Sequence, residues 1–118
     1  MASNIIVMNR GDSFAFSLSI DDETHAEVDS LYRLTDTDVV YLGIMLPHQK
    51  FENAIIKKRF TKADQDSSGY IIAEIAPEDT LDLLPGVYYY AVKLRQSANE
   101  PTERISTVIN KTKFIIND

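Results

Sequence analysis

Residues 13–20 read Ser-Phe-Ala-Phe-Ser-Leu-Ser-Ile. Every second side chain is large and apolar, and those between are Ser or Ala. A helix cannot use that period of two, because its apolar face recurs every three to four residues. A strand with one buried face can. Phe14, Phe16, Leu18 and Ile20 then form the core-facing set. Runs of the same kind recur at 5–9, 31–34, 39–46, 55–61, 70–75, 87–95, 104–109 and 111–116. Turn signals separate them by roughly 8–12 residues, the pattern of an antiparallel sandwich or small barrel. β-Branched and aromatic residues concentrate in the runs, as a pleated surface favours. The segment 51–63 is the one stretch where a helical period has any hold.

The run 39–46 is apolar on both faces, with Val40, Leu42, Ile44 and Leu46 on one and Val39, Tyr41 and Met45 on the other. A two-sided apolar strand needs cover on both sides. The second cover is either a loop of the same chain, the 21–34 segment, or a partner. Val39, Tyr41 and Met45, with Tyr89 of a later run, are therefore the candidate interface residues. Residues 77–84 are polar and predict one short helical turn. The segment Leu84-Pro85-Gly86-Val87-Tyr88 then opens a strand. A tyrosine at such a corner of an immunoglobulin-like sandwich bonds its hydroxyl to backbone a few residues upstream. Tyr88 stands at that position, and alternation points Tyr88, Tyr90, Val92 and Leu94 inward. The expected fold is all-β: one immunoglobulin-like antiparallel β-sandwich over residues 1–118, with about seven to nine strands.

The chain has 118 residues, enough for one core. It carries 12 Lys and Arg against 18 Asp and Glu, a net charge of −6. That balance argues against nucleic-acid and membrane partners. Cysteine is absent, which removes disulfides, thiolate nucleophiles and zinc–thiolate sites. The opening apolar run, Ile5 to Met8, is too short for a signal peptide, so synthesis and folding are expected in a cytosol.

Chemistry-bearing motifs are few. Asp64-Gln65-Asp66-Ser67-Ser68-Gly69 resembles the opening of a calcium loop, with oxygens from Asp64, Asp66 and Ser68 before a glycine. The twelfth position is Ile75 instead of a bidentate glutamate, so a solvated hairpin turn is the favoured reading. Arg10-Gly11-Asp12 is an adhesion-type tripeptide placed where a turn is needed. Asp21, Asp22, Glu23 and His25 form a charged loop tip that could ligate a metal. His25 and His48 are the only imidazoles, and neither lies in a nucleophile motif. Lys57-Lys58-Arg59, with Lys62, reads as a charged edge that blocks sheet-to-sheet aggregation. No catalytic residue and no cofactor are expected.

The order of several segments resembles the small immunoglobulin-like domains of tailed-phage virion proteins, best known as the N-terminal domain of baseplate upper proteins. They are Arg10-Gly11-Asp12-Ser13-Phe14-Ala15-Phe16, Val39-Val40-Tyr41-Leu42-Gly43-Ile44 and Ala54-Ile55-Ile56-Lys57-Lys58. After these come Ala76-Pro77-Glu78-Asp79-Thr80, Leu84-Pro85-Gly86-Val87-Tyr88-Tyr89-Tyr90 and the closing segment 107–116. The resemblance implies a non-enzymatic structural or assembly protein of baseplate, tail, neck or head. It would act through contacts with copies of itself or other virion proteins, and would reside in the virion and in the host cytoplasm before assembly. Unlike the longer baseplate proteins, this chain is expected to lack a receptor-binding or coiled-coil extension after the domain. The alternative of another class is a surface adhesion or carbohydrate-binding sandwich, which the lack of Trp disfavours.

Overall fold

The structure is a computed structural model and describes residues 5–20, 31–97 and 99–118. Seven strands occur among the described residues: β1 (Ile6–Asn9), β2 (Phe14–Leu18), β3 (Val39–Met45), β4 (Ile56–Phe60), β5 (Ile71–Ile75), β6 (Gly86–Gln96) and β7 (Arg104–Asn117). A four-residue helix, α1 (Pro77–Thr80), links β5 to β6, inside the expected 77–84 turn. Short 3-10 turns at Phe51–Asn53 and Lys62–Asp64 flank β4, so the weak helical period of 51–63 resolves into turn, strand, turn.

Two sheets face each other. One has five strands in the order β1-β7-β6-β3-β4, and the other pairs β2 with β5. The core between them takes the inward residue of every strand, among them Phe114, Ile44, Leu42, Ile71 and Ile75. In β2 the alternation holds: Phe14, Phe16 and Leu18 face this core, with Ile20 beyond them, and Ala15 and Ser17 face out. Phe16, Tyr90 and Phe114 meet ring to ring across it, with centroids 6.1 and 6.4 Å apart.

Three details depart from the sequence reading. The pairing is not wholly antiparallel, because β1 runs parallel to β7, with Ile6 beside Phe114 and Val7 beside Ile115. Residues 104–109 and 111–116 form one strand. Its register against β6 slips at Tyr90/Val92 and Val92/Lys93, which bulges β7 next to Asn110. Each slip breaks the period of two, so one bent strand looks like two. Residues 31–34 are not a strand, although Leu34 is buried in the core.

The corner before β6 is built as expected. The Tyr88 hydroxyl donates to the Leu84 carbonyl at 2.7 Å, while the ring is buried in the core. Behind it, the fully buried Thr80 hydroxyl accepts from the Gly11 amide at 2.9 Å, tying the β1–β2 turn to α1. Asp79 closes the same corner. Its Oδ2 accepts from the Ala76 amide at 2.8 Å and from Lys58 Nζ at 2.7 Å. Burial works against its ionised form, but the Lys58 ammonium and the Ala76 amide outweigh that, and its carboxyl sits below the ordinary carboxylate range. Lys58 points inward from an edge strand, a device that discourages edge-to-edge pairing.

A buried carboxylate that the sequence reading passed over holds the opposite end. Asp38 accepts from the Tyr32 hydroxyl, the Thr35 amide and the Ser97 amide. Gln96 in turn donates to the Tyr32 hydroxyl at 3.0 Å, so the 32–38 segment is clamped to the end of β6. No helix of the described residues is long and apolar enough to cross a membrane.

Candidate interaction surface

The outward face of the five-stranded sheet carries the four candidate interface residues and, from the basic cluster, Lys57 and Arg59. On β3 the outward positions are Val39, Tyr41, Gly43 and Met45; register places them beside Arg95, Lys93, Ala91 and Tyr89 of β6. On the other side, Tyr41 pairs with Arg59 and Gly43 with Lys57 of β4. At the far end, Val7, Ile115 and Val87 lie side by side across β1, β7 and β6. Val7 and Val87 are half exposed, forming a short apolar row.

Phe51 decides what part of this face is open. Its ring lies over Gly43: a Cβ built on Gly43 would stand 2.9 Å from Phe51 Cε2 and 3.1 Å from the Ala54 methyl. The missing side chain at 43 is therefore the seat of the ring. Phe51 and Tyr89 pack on Met45, Ala54 and Ala91 as a second, smaller core. Of the four candidate interface residues, Met45 is fully buried and Val39 is 7% exposed. Neither offers free surface. Cover for Met45 comes from the same chain, from Phe51 and Ala54, while residues 21–30 of the 21–34 segment lie outside the described residues. Tyr41 and Tyr89 are half-buried on the same outward face.

Two grooves flank the Phe51 ring. One, of about 310 Å³, is lined by Tyr41, Gly43, Phe51, Glu52, Lys57 and Lys58. The other, of about 400 Å³, is lined by Lys50, Phe51, Ala91, Lys93 and Lys111. Lys93 Nζ sits 4.9 Å from the Phe51 ring centroid, a cation–π distance. Besides Lys58, which also lines the smaller groove, seven of the 12 basic residues belong to this face or its grooves: Lys50, Lys57, Arg59, Lys93, Arg95, Lys111 and Lys113. Among the described residues, only Arg95 of these seven has a carboxylate partner, Glu103, with Nε to Oε1 at 2.7 Å. Glu103 also accepts from the Asn99 amide; that bond and then Arg95 hold its carboxyl below the ordinary range, and Glu103 raises the Arg95 guanidinium in return. Among the described residues, further cation–carboxylate pairs join Arg10 to Asp118, Lys58 to Asp79 and Lys62 to Asp36.

The remaining motifs resolve into local structure. Asp66 Oδ1 accepts from the Ser68 and Tyr70 amides at 2.8 and 2.9 Å. The Tyr70 amide above all, then the Ser68 and Gly69 amides, holds its carboxyl below the usual range. Asp64 Oδ2 accepts from the Thr61 amide at 2.8 Å, capping the 3-10 turn. The Asp66 carbonyl receives the Gly69 amide, and the Asp66 amide bonds to the Tyr70 carbonyl. With Gly69 at φ +95°, this is a short hairpin loop closed by a left-handed glycine. Asp64 and Asp66 thus each accept from backbone amides of the chain itself. Arg10-Gly11-Asp12 is the β1–β2 turn, closed by the Asp12 amide on the Asn9 carbonyl at 3.2 Å. Asp21, Asp22, Glu23 and His25 lie outside the described residues. His48 is exposed at the rim of the larger groove.

No protein-family model matches this chain, and no curated protein matches it.

Proposed function

We propose that this chain is a non-enzymatic structural or assembly module of a tailed-phage particle, of baseplate, tail, neck or head, acting through protein–protein contacts on an immunoglobulin-like sandwich. The observation that carries the reading is the outward sheet face. Cations without carboxylate partners among the described residues, half-buried Tyr41 and Tyr89, and the Val7–Ile115–Val87 row share one surface with two shallow grooves. Aromatic and cationic groups around a partly apolar patch are what protein interfaces favour.

The immunoglobulin-like part is supported by two features. The β3–β6–β7 order in one sheet and the β2–β5 pair in the other correspond to the C–F–G and B–E groupings of that fold. Tyr88 supplies the corner bond at the start of β6, after the crossing from β5. The virion part is supported by the order of segments from Arg10-Gly11-Asp12 to the closing strand.

The test is the protein content of purified particles from the source of this chain. Mass spectrometry should find it in stoichiometric amounts with other particle proteins. Its absence from intact particles would end the virion reading.

A further inference from the structure

The partner that the basic face accepts follows from the charge distribution of the molecule. Lys57, Arg59, Lys93, Lys111 and Lys113 lie on or beside one face without carboxylate partners among the described residues, in a chain of net charge −6. A face-to-face dimer about a two-fold axis would set these cations against their own copies. Like charges in a contact cost several kcal/mol, so that symmetry is disfavoured.

The complementary surface stands at the corner end of the same molecule. Leu81 and Leu84 are 58% and 78% exposed there, the latter the most exposed large apolar side chain described. Glu78 and Asp82 are exposed beside them in sequence. The β1–β2 turn, with exposed Asp12, abuts this corner, because a Cβ on Gly11 would touch Leu81 Cδ1 at 3.4 Å. The corner is rigid for so exposed a feature. Tyr88 holds the Leu84 carbonyl, Thr80 holds the Gly11 amide, and Lys58 holds Asp79. An exposed apolar knob flanked in sequence by Glu78 and Asp82 thus exists on the chain whose sheet carries an aromatic groove lined by Lys57, Lys58 and Glu52, with Arg59, Lys93, Lys111 and Lys113 on or beside the same face.

We infer that the occupant of the basic face is a second copy of this chain, docked head to tail, with the Leu81–Leu84 knob of one copy against the groove beside Phe51, Tyr41 and Lys57 of the next. Such a contact is heterologous: each copy keeps one free knob and one free face, so it propagates to a ring or a filament. The inference rests on the reading of the chain as an assembly module and names its partner.

The test uses the whole chain at low ionic strength and again at about 0.5 M salt, where exposed charges are screened within a few ångströms. Sedimentation should show species larger than a monomer that grow with concentration and shrink with salt. Lys57→Glu/Arg59→Glu spoils the face, and Glu78→Lys/Asp82→Lys spoils the knob. Each alone should weaken self-association by about a hundredfold, since like charges would then meet in the contact. Mixed, the two variants pair the unaltered knob of one with the unaltered face of the other, and the reversed knob with the reversed face; opposite charges then meet at both contacts, and alternating assembly should return. Leu84→Ser, which leaves the charges alone, should weaken assembly as well. All five positions are exposed, and unchanged circular dichroism checks the fold. A parent chain that stays monomeric, a knob variant that assembles like the parent, or a mixture that does not assemble each overturns the inference. Particle composition is independent of these results. A monomeric chain found in particles sinks only the head-to-tail contact, whereas absence from particles sinks the virion reading.

Discussion

Replacing Tyr88 by Phe removes one oxygen from the molecule and little else. The ring is 5% exposed and packed in the core, and Phe keeps it. What goes is the O–H donor to the Leu84 carbonyl, 2.7 Å away. A net intramolecular hydrogen bond is worth about 0.5–1.5 kcal/mol, and a stranded buried acceptor costs up to about 3. Leu84 is the most exposed large apolar residue described, so water reaches that end of the bond and the loss belongs near the lower figure. The expected cost is about 1 kcal/mol. For a domain of this size that lowers Tm by about 4 °C. With a urea m-value of about 2 kcal/mol/M, the midpoint falls by about 0.5 M. Urea unfolding followed by circular dichroism measures it, and the m-value should not change. Tyr89→Phe is the control: that hydroxyl makes no bond among the described residues and its ring faces outward, so its midpoint should stay put. A Tyr88→Phe midpoint within about 0.1 M of the parent, or an equal fall in Tyr89→Phe, would refute the corner as a source of stability.

Three further outcomes follow from the packing and the charges. Gly43→Val should evict the Phe51 ring and cost about 2 kcal/mol, read as a lower Tm together with exposure of Met45 to oxidation by peroxide. Asp38→Ala should strip the acceptor from the Tyr32 hydroxyl and the Thr35 and Ser97 amides, a loss of about 2–3 kcal/mol in urea unfolding. The Asp79 carboxyl is depressed in the fold. Its contribution is therefore fully present above the unfolded value near pH 4 and vanishes as pH falls through the lower folded value. Asp79→Asn should flatten the acid limb of a stability–pH profile below pH ~4 and leave its shape at neutral pH unchanged.

Much of the fold was legible because strand alternation is a local property. The Phe14–Ile20 pattern, the inward set Tyr88, Tyr90, Val92 and Leu94, and the helical corner all depend on neighbours within a few residues. The split of β7 shows the limit of such reading: a bulge looks like a strand end until its partner is known. Asp38 went unnoticed because nothing near it in sequence distinguishes a buried carboxylate from a turn aspartate; its acceptor role depends on Ser97, 59 residues away.

Sequence alone determined that this chain pairs strands, which side chains they turn inward, and that Tyr88 caps a corner. It also marked the outer face of β3 as needing cover, because an apolar residue out of phase with the core must be dried by something. Only the tertiary structure decided what covers it. A glycine at 43 and a phenylalanine at 51 fit one another through the turn that follows β3, leaving Met45 buried within the chain. The same long-range pairing set β1 parallel to β7 and brought Lys57 and Arg59 onto one face with Lys93 and Lys113. Periodicity assigns each side chain to a face of its own strand. Which faces become neighbours is set by register between strands far apart in the chain, and that is where the basic surface came from.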